Sequence, residues 1–166
     1  MQNMNKTNPP ISDKSTIRKI IEERIALMTD EKKKEFSHDI CTQLKIRIKE
    51  KNPTTLILYN PLADEVDISS IHEWFAPRGQ IITIEQDAPD WLSFENTNTI
   101  MLVPGRAFTL NWIRVGRGRG FFDKLLSQSD VYSIGICFSC QIFETLPEDT
   151  WDKKMDEVVF NNNNLQ

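Results

Sequence analysis

The chain has 166 residues, which fits a single domain with a sizeable core, and its 39% hydrophobic and 27% charged content is that of an ordinary globular protein. Its net charge of −4 argues against binding nucleic acid over the whole surface. No apolar run reaches the roughly 18 residues of a membrane span, the N-terminal residues lack the apolar segment of a secretory signal, and three cysteines favour a reducing compartment. We therefore expect a cytoplasmic protein, and a monomer, that binds no membrane.

The N-terminal third is predicted to be a helical pair that follows a tail. Residues 1–12 are polar, contain a Pro-Pro pair and are predicted to be disordered. The first helix begins with Ser12 or Asp13 as its N-cap, and its apolar stripe contains Ile17, Ile20, Ile21, Ile25 and Met28. The second helix begins at Thr29 or Asp30 and ends at Asn52-Pro53, and its stripe contains Phe36, Ile40, Leu44 and Ile48.

Short apolar runs bounded by proline, glycine and polar residues predict strands in the rest of the chain. The predicted strands are 54–59, 80–84, 99–103, 131–138 and 157–160, and the predicted short helices are 67–75 and 121–126. The segment 86–98 is predicted to be a polar loop that Trp91 and Phe94 attach to the core. Two helices are followed by strands that alternate with helices or loops, and this order predicts one α/β domain at 13–160 with a mostly parallel sheet. Residues 161–166 are predicted to be a second disordered tail.

The segment 114–124 has the most unusual composition. It holds three of the six glycines, at alternate positions 116, 118 and 120, with arginines between them. Glycine offers a strand no side chain to pack, so we interpret the segment as backbone that a ligand approaches closely. Backbone N–H groups, three arginines and a following helix start predict a phosphate site. The spacing matches neither the dinucleotide fingerprint nor the Walker A loop, and the alternatives are a flexible loop or a single-stranded RNA contact at 106–119.

Charged residues near predicted strand ends and helix starts have two interpretations each. Asp123 is either an acid in the first turn of a helix or a magnesium ligand. Lys14 and Arg18 share a helix face, as surface charge or as phosphate ligands. The acids at 64, 65 and 67 follow the first strand, as a polar loop or as groups that orient a ligand.

The cysteines and histidines carry no predicted chemistry. Cys137 and Cys140 have C-x-x-C spacing, but the sequence offers no second pair for a tetrahedral metal site, so we predict buried thiols. His38 and His72 are isolated from any nucleophile or metal pattern and receive no role.

Four segments, in order, resemble the 5-formyltetrahydrofolate cyclo-ligase family, also called 5,10-methenyltetrahydrofolate synthetases. They are Lys14-Ser-Thr-Ile-Arg18, Asp-Glu-Val-Asp at 64–67, Val-Pro-Gly-Arg-Ala-Phe at 103–108 with Arg-Val-Gly-Arg-Gly-Arg-Gly-Phe-Phe-Asp at 114–123, and Asp-Lys-Lys-Met-Asp-Glu-Val-Val at 152–159. The resemblance implies a Rossmann-like α/β domain. It also implies conversion of 5-formyltetrahydrofolate to 5,10-methenyltetrahydrofolate with ATP and Mg²⁺, through an iminophosphate, with release of ADP and phosphate.

The resemblance also implies roles for individual residues. Arg117 and Arg119 would be catalytic, and Asp123 and Asp152 would hold Mg²⁺. The implied ATP-binding residues are Lys14, Arg18, Arg114, Gly116, Arg117, Gly118, Arg119, Gly120, Phe121 and Phe122. The implied folate-binding residues are Asn60, Glu65, Arg117, Gly118, Arg119, Gly120 and Phe121.

This chain is predicted to be a shortened and divergent member. The family motif has aspartate and glycine where this chain has Thr109 and Trp112, and tyrosines where it has Phe121 and Phe122. The family also has a long insertion where residues 85–98 form a short loop here. The alternative to an active cyclo-ligase is therefore a paralogue without turnover that acts as a nucleotide-binding module.

Overall fold

The computed structural model describes residues 13–84 and 98–162. The predictions for the N-terminal tail and for the loop with Trp91 and Phe94 lie outside these residues. The chain runs through α1 Lys14–Ala26, α2 Asp30–Lys51, β1 Thr55–Tyr59, α3 Ser69–Phe75, β2 Gln80–Ile84, β3 Thr99–Pro104, β4 Ala107–Thr109, β5 Arg114–Val115, α4 Phe121–Ser127, β6 Tyr132–Cys137, a 3₁₀ turn Ser139–Gln141, β7 Ile142–Phe143 and β8 Glu157–Phe160.

The two N-terminal helices begin at caps that the sequence predicts. The side chain of Asp13 accepts hydrogen bonds from the N–H groups of Ser15 and Thr16, and that of Thr29 accepts one from Lys32. Each cap satisfies amide groups that have no partner within the helix. Helix α2 ends where Asn52 adopts a left-handed conformation with φ of 48°.

The main sheet has five parallel strands in the order β2-β1-β3-β6-β8. Strands β1 and β3 are buried along their whole length, as expected when helices cover both faces of a parallel sheet. The predicted α/β fold, with a Rossmann-like, mostly parallel sheet, flanking helices and an N-terminal helical pair, is therefore confirmed. The strand order reverses between β1 and β3, and ligands of open α/β sheets bind beyond the carboxyl ends of strands at such a point.

A second sheet of three very short strands was not predicted. Its order is β5-β4-β7, with β4 antiparallel to β5 and parallel to β7. It packs against α1, where Ile17, Ile21 and Ile25 form a separate apolar cluster with Ala107 and Val115. Residues 114 and 115, the first two of the segment 114–124, form β5 and are buried, so a flexible loop there is wrong for these two residues. The small sheet brings α1 beside the chain that follows β5.

The domain extends beyond its predicted end at residue 160, because the next two residues make hydrogen bonds to it. Asn161 is buried, and its side chain accepts a hydrogen bond from the Ser139 N–H at 2.8 Å and donates one to the Ser139 hydroxyl at 3.0 Å. The Asn162 N–H donates to Asp39 at 2.8 Å. These two residues, which we assigned to the tail, are thus bonded to the domain.

The described chain offers neither a membrane helix nor a reactive thiol pair. No helix within 13–84 and 98–162 is long and apolar enough to cross a bilayer. Cys137 is buried in β6, whereas Cys140 is only partly buried, and burial raises the pKa of both thiols. Neither thiol is therefore activated as a nucleophile.

Candidate functional site

A cavity of about 240 Å³ lies beyond the carboxyl ends of β1 and β3. We call it the central cavity. Its lining comes from the start of α1, the turn after β1, the chain from β3 to α4, and the loop before β8. The lining residues are Lys14, Arg18, Glu65, Pro104, Gly105, Arg114, residues 116–123, Asp149, Trp151 and Asp152. Every residue that the resemblance assigns to the site lines this cavity, except Asn60.

Helix α1 presents two cations to the central cavity. Lys14 and Arg18 lie one turn apart, on a side of the helix next to its buried isoleucines. The ammonium of Lys14 contacts Asp149 at 2.6 Å and Asp152 at 2.5 Å. Burial alone lowers the pKa of Lys14, but the two carboxylates outweigh it and leave the pKa raised. The Nε of Arg18 donates to the carbonyl of Gly116 at 2.8 Å. This hydrogen bond connects residues 116–120, the glycine segment, to α1.

Arg114 is a buried cation in the lining of the central cavity. Its side chain is only 3% exposed, and its Nη2 lies 3.2 Å from the carboxylate of Asp123. Its Nη1 donates to the carbonyl of Pro104 at 3.1 Å, and the guanidinium lies 5.5 Å from the centre of the Phe122 ring. Burial lowers the pKa of Arg114, and Asp123 opposes that shift. A Cβ at Gly116 would lie 2.8 Å from the Arg114 guanidinium, so any larger residue there would have to displace that side chain.

Arg117 enters the cavity as part of a network of two arginines and two acids. Its Nη2 lies 2.5 Å from Asp64 and its Nε donates to Glu65 at 3.0 Å. The other carboxylate oxygen of Asp64 is 2.5 Å from Arg106. Burial raises the pKa of Asp64, but the two arginines outweigh it and hold the pKa below its ordinary value.

The glycine segment turns sharply between the cavity arginines. Gly118 has φ of +97°, a conformation that side chains other than glycine adopt only under strain. A Cβ there would also lie 3.3 Å from the guanidinium carbon of Arg18. The turn therefore brings backbone close to a cationic side chain, which is the arrangement expected where a small anionic group must fit.

The acids of the cavity suit a magnesium ion that is shared with a phosphate. Within residues 13–84 and 98–162, no three His, Cys, Asp or Glu side chains form a metal site on their own. Asp123 and Asp152 both line the central cavity, and the Lys153 N–H lies 3.5 Å from Asp123. Mg²⁺ commonly takes one or two carboxylates and completes its shell with water and substrate phosphates. This donor set fits that mode of binding.

One predicted residue lies elsewhere, and four residues that were given no site role, Pro104, Gly105, Asp149 and Trp151, line the central cavity. Asn60 is exposed and lines a separate cavity with His72 and Glu73, so the structure does not bring it to the central cavity. Asp149 and Trp151 line the central cavity, and Trp151 is 71% exposed at its edge. Their only sequence signal is their position just before the family-like segment at 152–159.

Comparisons with known proteins agree with the geometry. The sequence model of the 5-formyltetrahydrofolate cyclo-ligase family matches residues 76–161. A probable 5-formyltetrahydrofolate cyclo-ligase of Schizosaccharomyces pombe is 27% identical over 111 residues, which are 58% of this chain and 51% of that protein. The 5-formyltetrahydrofolate cyclo-ligase of Mycoplasma pneumoniae is 29% identical over 165 residues, which are 89% of this chain and 98% of that protein.

A solved structure extends the likeness to the fold. The 5,10-methenyltetrahydrofolate synthetase of Mycoplasma pneumoniae superposes with a TM-score of 0.76 at 25% identity, over 89% of this chain and 98% of that one. The aligned part of this chain thus spans about half the length of the S. pombe relative and nearly all of the M. pneumoniae proteins. Because the family match covers just over half of its residues, the chain belongs to the 5-formyltetrahydrofolate cyclo-ligase family.

Proposed function

We propose that the protein converts 5-formyltetrahydrofolate to 5,10-methenyltetrahydrofolate, with MgATP as co-substrate and ADP and phosphate as products. One observation carries this proposal. The four family-like segments meet at one cavity, although Lys14 and Asp152 in the first and last of them are 138 positions apart in the sequence. Five cationic and four carboxylate side chains line this cavity. Such a charge distribution suits a phosphoryl group whose charge must be neutralised while it is transferred.

The proposed reaction has two steps that balance. The formyl oxygen attacks the γ-phosphorus of ATP, the bond to the leaving ADP oxygen breaks, and an iminophosphate forms. N10 of the folate then attacks the former formyl carbon, loses its proton, and the C–O bond breaks to release phosphate and close the ring. Neither step needs a protein nucleophile, so the contribution of the protein is positioning and charge.

The cavity cations have distinct places in this proposal. Lys14 and Arg18, on α1, are proposed to contact the ATP phosphates, and Arg117 and Arg119 the transferred phosphoryl group. An oriented cation at a transferring phosphoryl group typically contributes a few kcal/mol to transition-state stabilisation. Asp123 and Asp152 would hold Mg²⁺, which supplies charge neutralisation when bound.

The folate half of the site is proposed to lie on the side of Glu65 and Phe121. The carboxylate of Glu65 is inside the lining and is 6% exposed, so it can orient donor groups of the pterin. The central cavity is smaller than the roughly 300–1,000 Å³ of typical ligand pockets, so both substrates would extend beyond it.

The test is the near-ultraviolet absorbance of the methenyl product. Purified protein with MgATP and 5-formyltetrahydrofolate should develop this absorbance, with one ADP released per product, and should not without ATP. Arg117→Ala should lower the rate by about 100-fold or more, whereas Arg47→Ala, at the partly buried pair with Glu157 outside the central cavity, should change it little. A folded protein that gives no absorbance change contradicts the proposal.

A second candidate is a nucleotide-binding module without turnover. The observation that favours it is the Phe121-Phe122 pair, which packs edge to face with centroids 5.2 Å apart and lacks the hydroxyls of the family tyrosines. This candidate predicts that ATP raises the melting temperature through binding to the folded state, while no methenyl product forms. An unchanged melting temperature at saturating ATP rules it out.

A further inference from the structure

We propose that Asp64 and Arg106 are positioning residues that hold the guanidinium of Arg117 in its working orientation at the central cavity. The inference rests on the proposed function, because it assigns Arg117 a role in phosphoryl transfer. It concerns two residues to which neither the family motif nor the cavity lining gives a role.

The backbone around Arg117 cannot fix the side chain by itself. Arg117 stands between Gly116 and Gly118, and glycine has the weakest conformational preference of any residue. The orientation of the guanidinium therefore depends on what its own N–H groups contact. Those contacts are Asp64 at 2.5 Å and Glu65 at 2.9 to 3.0 Å.

Asp64 is itself connected to the rigid part of the fold through Arg106. The Arg106 N–H donates to the carbonyl of Val115 at 2.7 Å, and its carbonyl accepts from the Gln141 side chain at 3.0 Å. The Arg106 side chain is 13% exposed and lies 2.5 Å from Asp64. An uninterrupted series of short contacts thus runs from the small sheet through Arg106 and Asp64 to Arg117.

Neither Asp64 nor Arg106 lines the central cavity, and their side chains reach it through Arg117. Among the described residues, the lining of that cavity includes Arg117 but neither Asp64 nor Arg106. Arg106 and Arg117 instead share a neighbouring cleft of about 390 Å³ with Arg18 and Arg119, which concentrates positive charge there. The Asp64 carboxylate lies between two guanidiniums that repel each other, so removing its charge should move Arg117.

Glu65 cannot test this idea, because it lines the central cavity and is a proposed folate contact. Asp64→Asn keeps the shape of the side chain but removes the charge that both arginines share. Arg106→Leu removes the link to the small sheet, and Arg106→Lys preserves a cation. Glu157→Gln is the matched control, since it breaks a similarly exposed arginine pair with Arg47 outside the cavity.

The first experiment is steady-state kinetics of methenyl formation. Asp64→Asn and Arg106→Leu should each lower kcat by roughly tenfold or more, less than the loss of Arg117 itself, and leave KM for ATP within about threefold. Arg106→Lys should recover most of the rate. In an Arg117→Ala background, Asp64→Asn should not lower kcat further, because the guanidinium that Asp64 orients is already absent. An equal effect of Asp64→Asn in both backgrounds overturns the proposal.

The second experiment does not need turnover. The ¹H–¹⁵N signal of the Arg117 Nε–H, identified by its loss in Arg117→Lys, should broaden or exchange faster in Asp64→Asn and Arg106→Leu. It should be unchanged in Glu157→Gln. An unchanged signal in Asp64→Asn overturns the positioning role even in an active enzyme. If the wild type forms no methenyl product, the proposed function fails, and this signal alone decides whether Asp64 and Arg106 hold Arg117.

Discussion

Replacing Asp123 with asparagine should destabilise the fold, because it removes the carboxylate that contacts the buried guanidinium of Arg114. Arg114 is 3% exposed at its side chain, and its Nε has no hydrogen-bond partner among the described residues. The Pro104 carbonyl is its other polar contact at 3.1 Å, and that contact brings no negative charge. Asp123 is therefore the main charge that makes burial of Arg114 tolerable, with a smaller contribution from Asp152.

The expected loss follows from the burial of the two partners. Removing one member of a buried ion pair costs about 3–5 kcal/mol. Asp123 is 20% exposed, so water can partly replace it, and we expect the lower end, about 3 kcal/mol. For a domain of this size, 1 kcal/mol shifts the melting temperature by roughly 2–4 °C. Asp123→Asn should thus melt roughly 6–12 °C below the wild type.

Thermal unfolding followed by circular dichroism measures this difference. The control is Asp149→Asn, because Asp149 is 45% exposed and its partner Lys14 keeps Asp152. Exposed pairs are worth about 1 kcal/mol or less, so this control should melt within roughly 4 °C of the wild type. If Asp123→Asn melts no lower than the control, the reasoning about the buried charge is wrong. Activity of Asp123→Asn is interpretable only beside this measurement.

Three further predictions concern packing, the glycine turn and acid stability. Gly135→Ala should lower the free energy of unfolding in urea by about 1–3 kcal/mol, because a Cβ there would lie 2.5 Å from the ring of Phe108; unchanged stability would show that the ring can move. Gly118 has φ of +97°, so Gly118→Ala should distort the turn and weaken the affinity for ATP measured by titration calorimetry. An unchanged affinity would show that the turn does not contact the nucleotide. The Asp64 carboxylate has a lowered pKa, so the stability that it contributes is present above the ordinary value of 3.8 and is lost as pH falls through the folded-state pKa. As pH falls from above 3.8 through that pKa, the melting temperature of Asp64→Asn should therefore fall less than that of the wild type, and equal falls over this range would contradict the reasoning.

The main sheet was predictable because each of its strands is a compact apolar run between breakers. Residues 80–84 and 157–160 match the observed β2 and β8, and β1 begins one residue after its predicted start. The small sheet escaped prediction because its strands have only two or three residues, too few to show a period. Its stability comes from packing on α1, and a tertiary contact of that kind leaves no local pattern.

The composition of the site was more predictable than its internal pairing. The glycine–arginine segment and the acids near 65, 123 and 152 were identified from spacing and resemblance. That Asp64 lies between Arg106 and Arg117 depends on β1 and β3 being neighbours, so that the loops after them meet. In the sequence, Arg106 is 42 positions and Arg117 is 53 positions after Asp64, and nothing local to these segments specifies the contacts.

The most direct test of the central claim is the fate of the formyl oxygen. The protein is given MgATP and 5-formyltetrahydrofolate that carries ¹⁸O in the formyl group, and the released phosphate is analysed by mass spectrometry. If the cavity transfers the γ-phosphoryl group to the formyl oxygen, each methenyl product should be matched by one phosphate that contains ¹⁸O. Methenyl product with unlabelled phosphate, or no product from folded protein, would contradict the account.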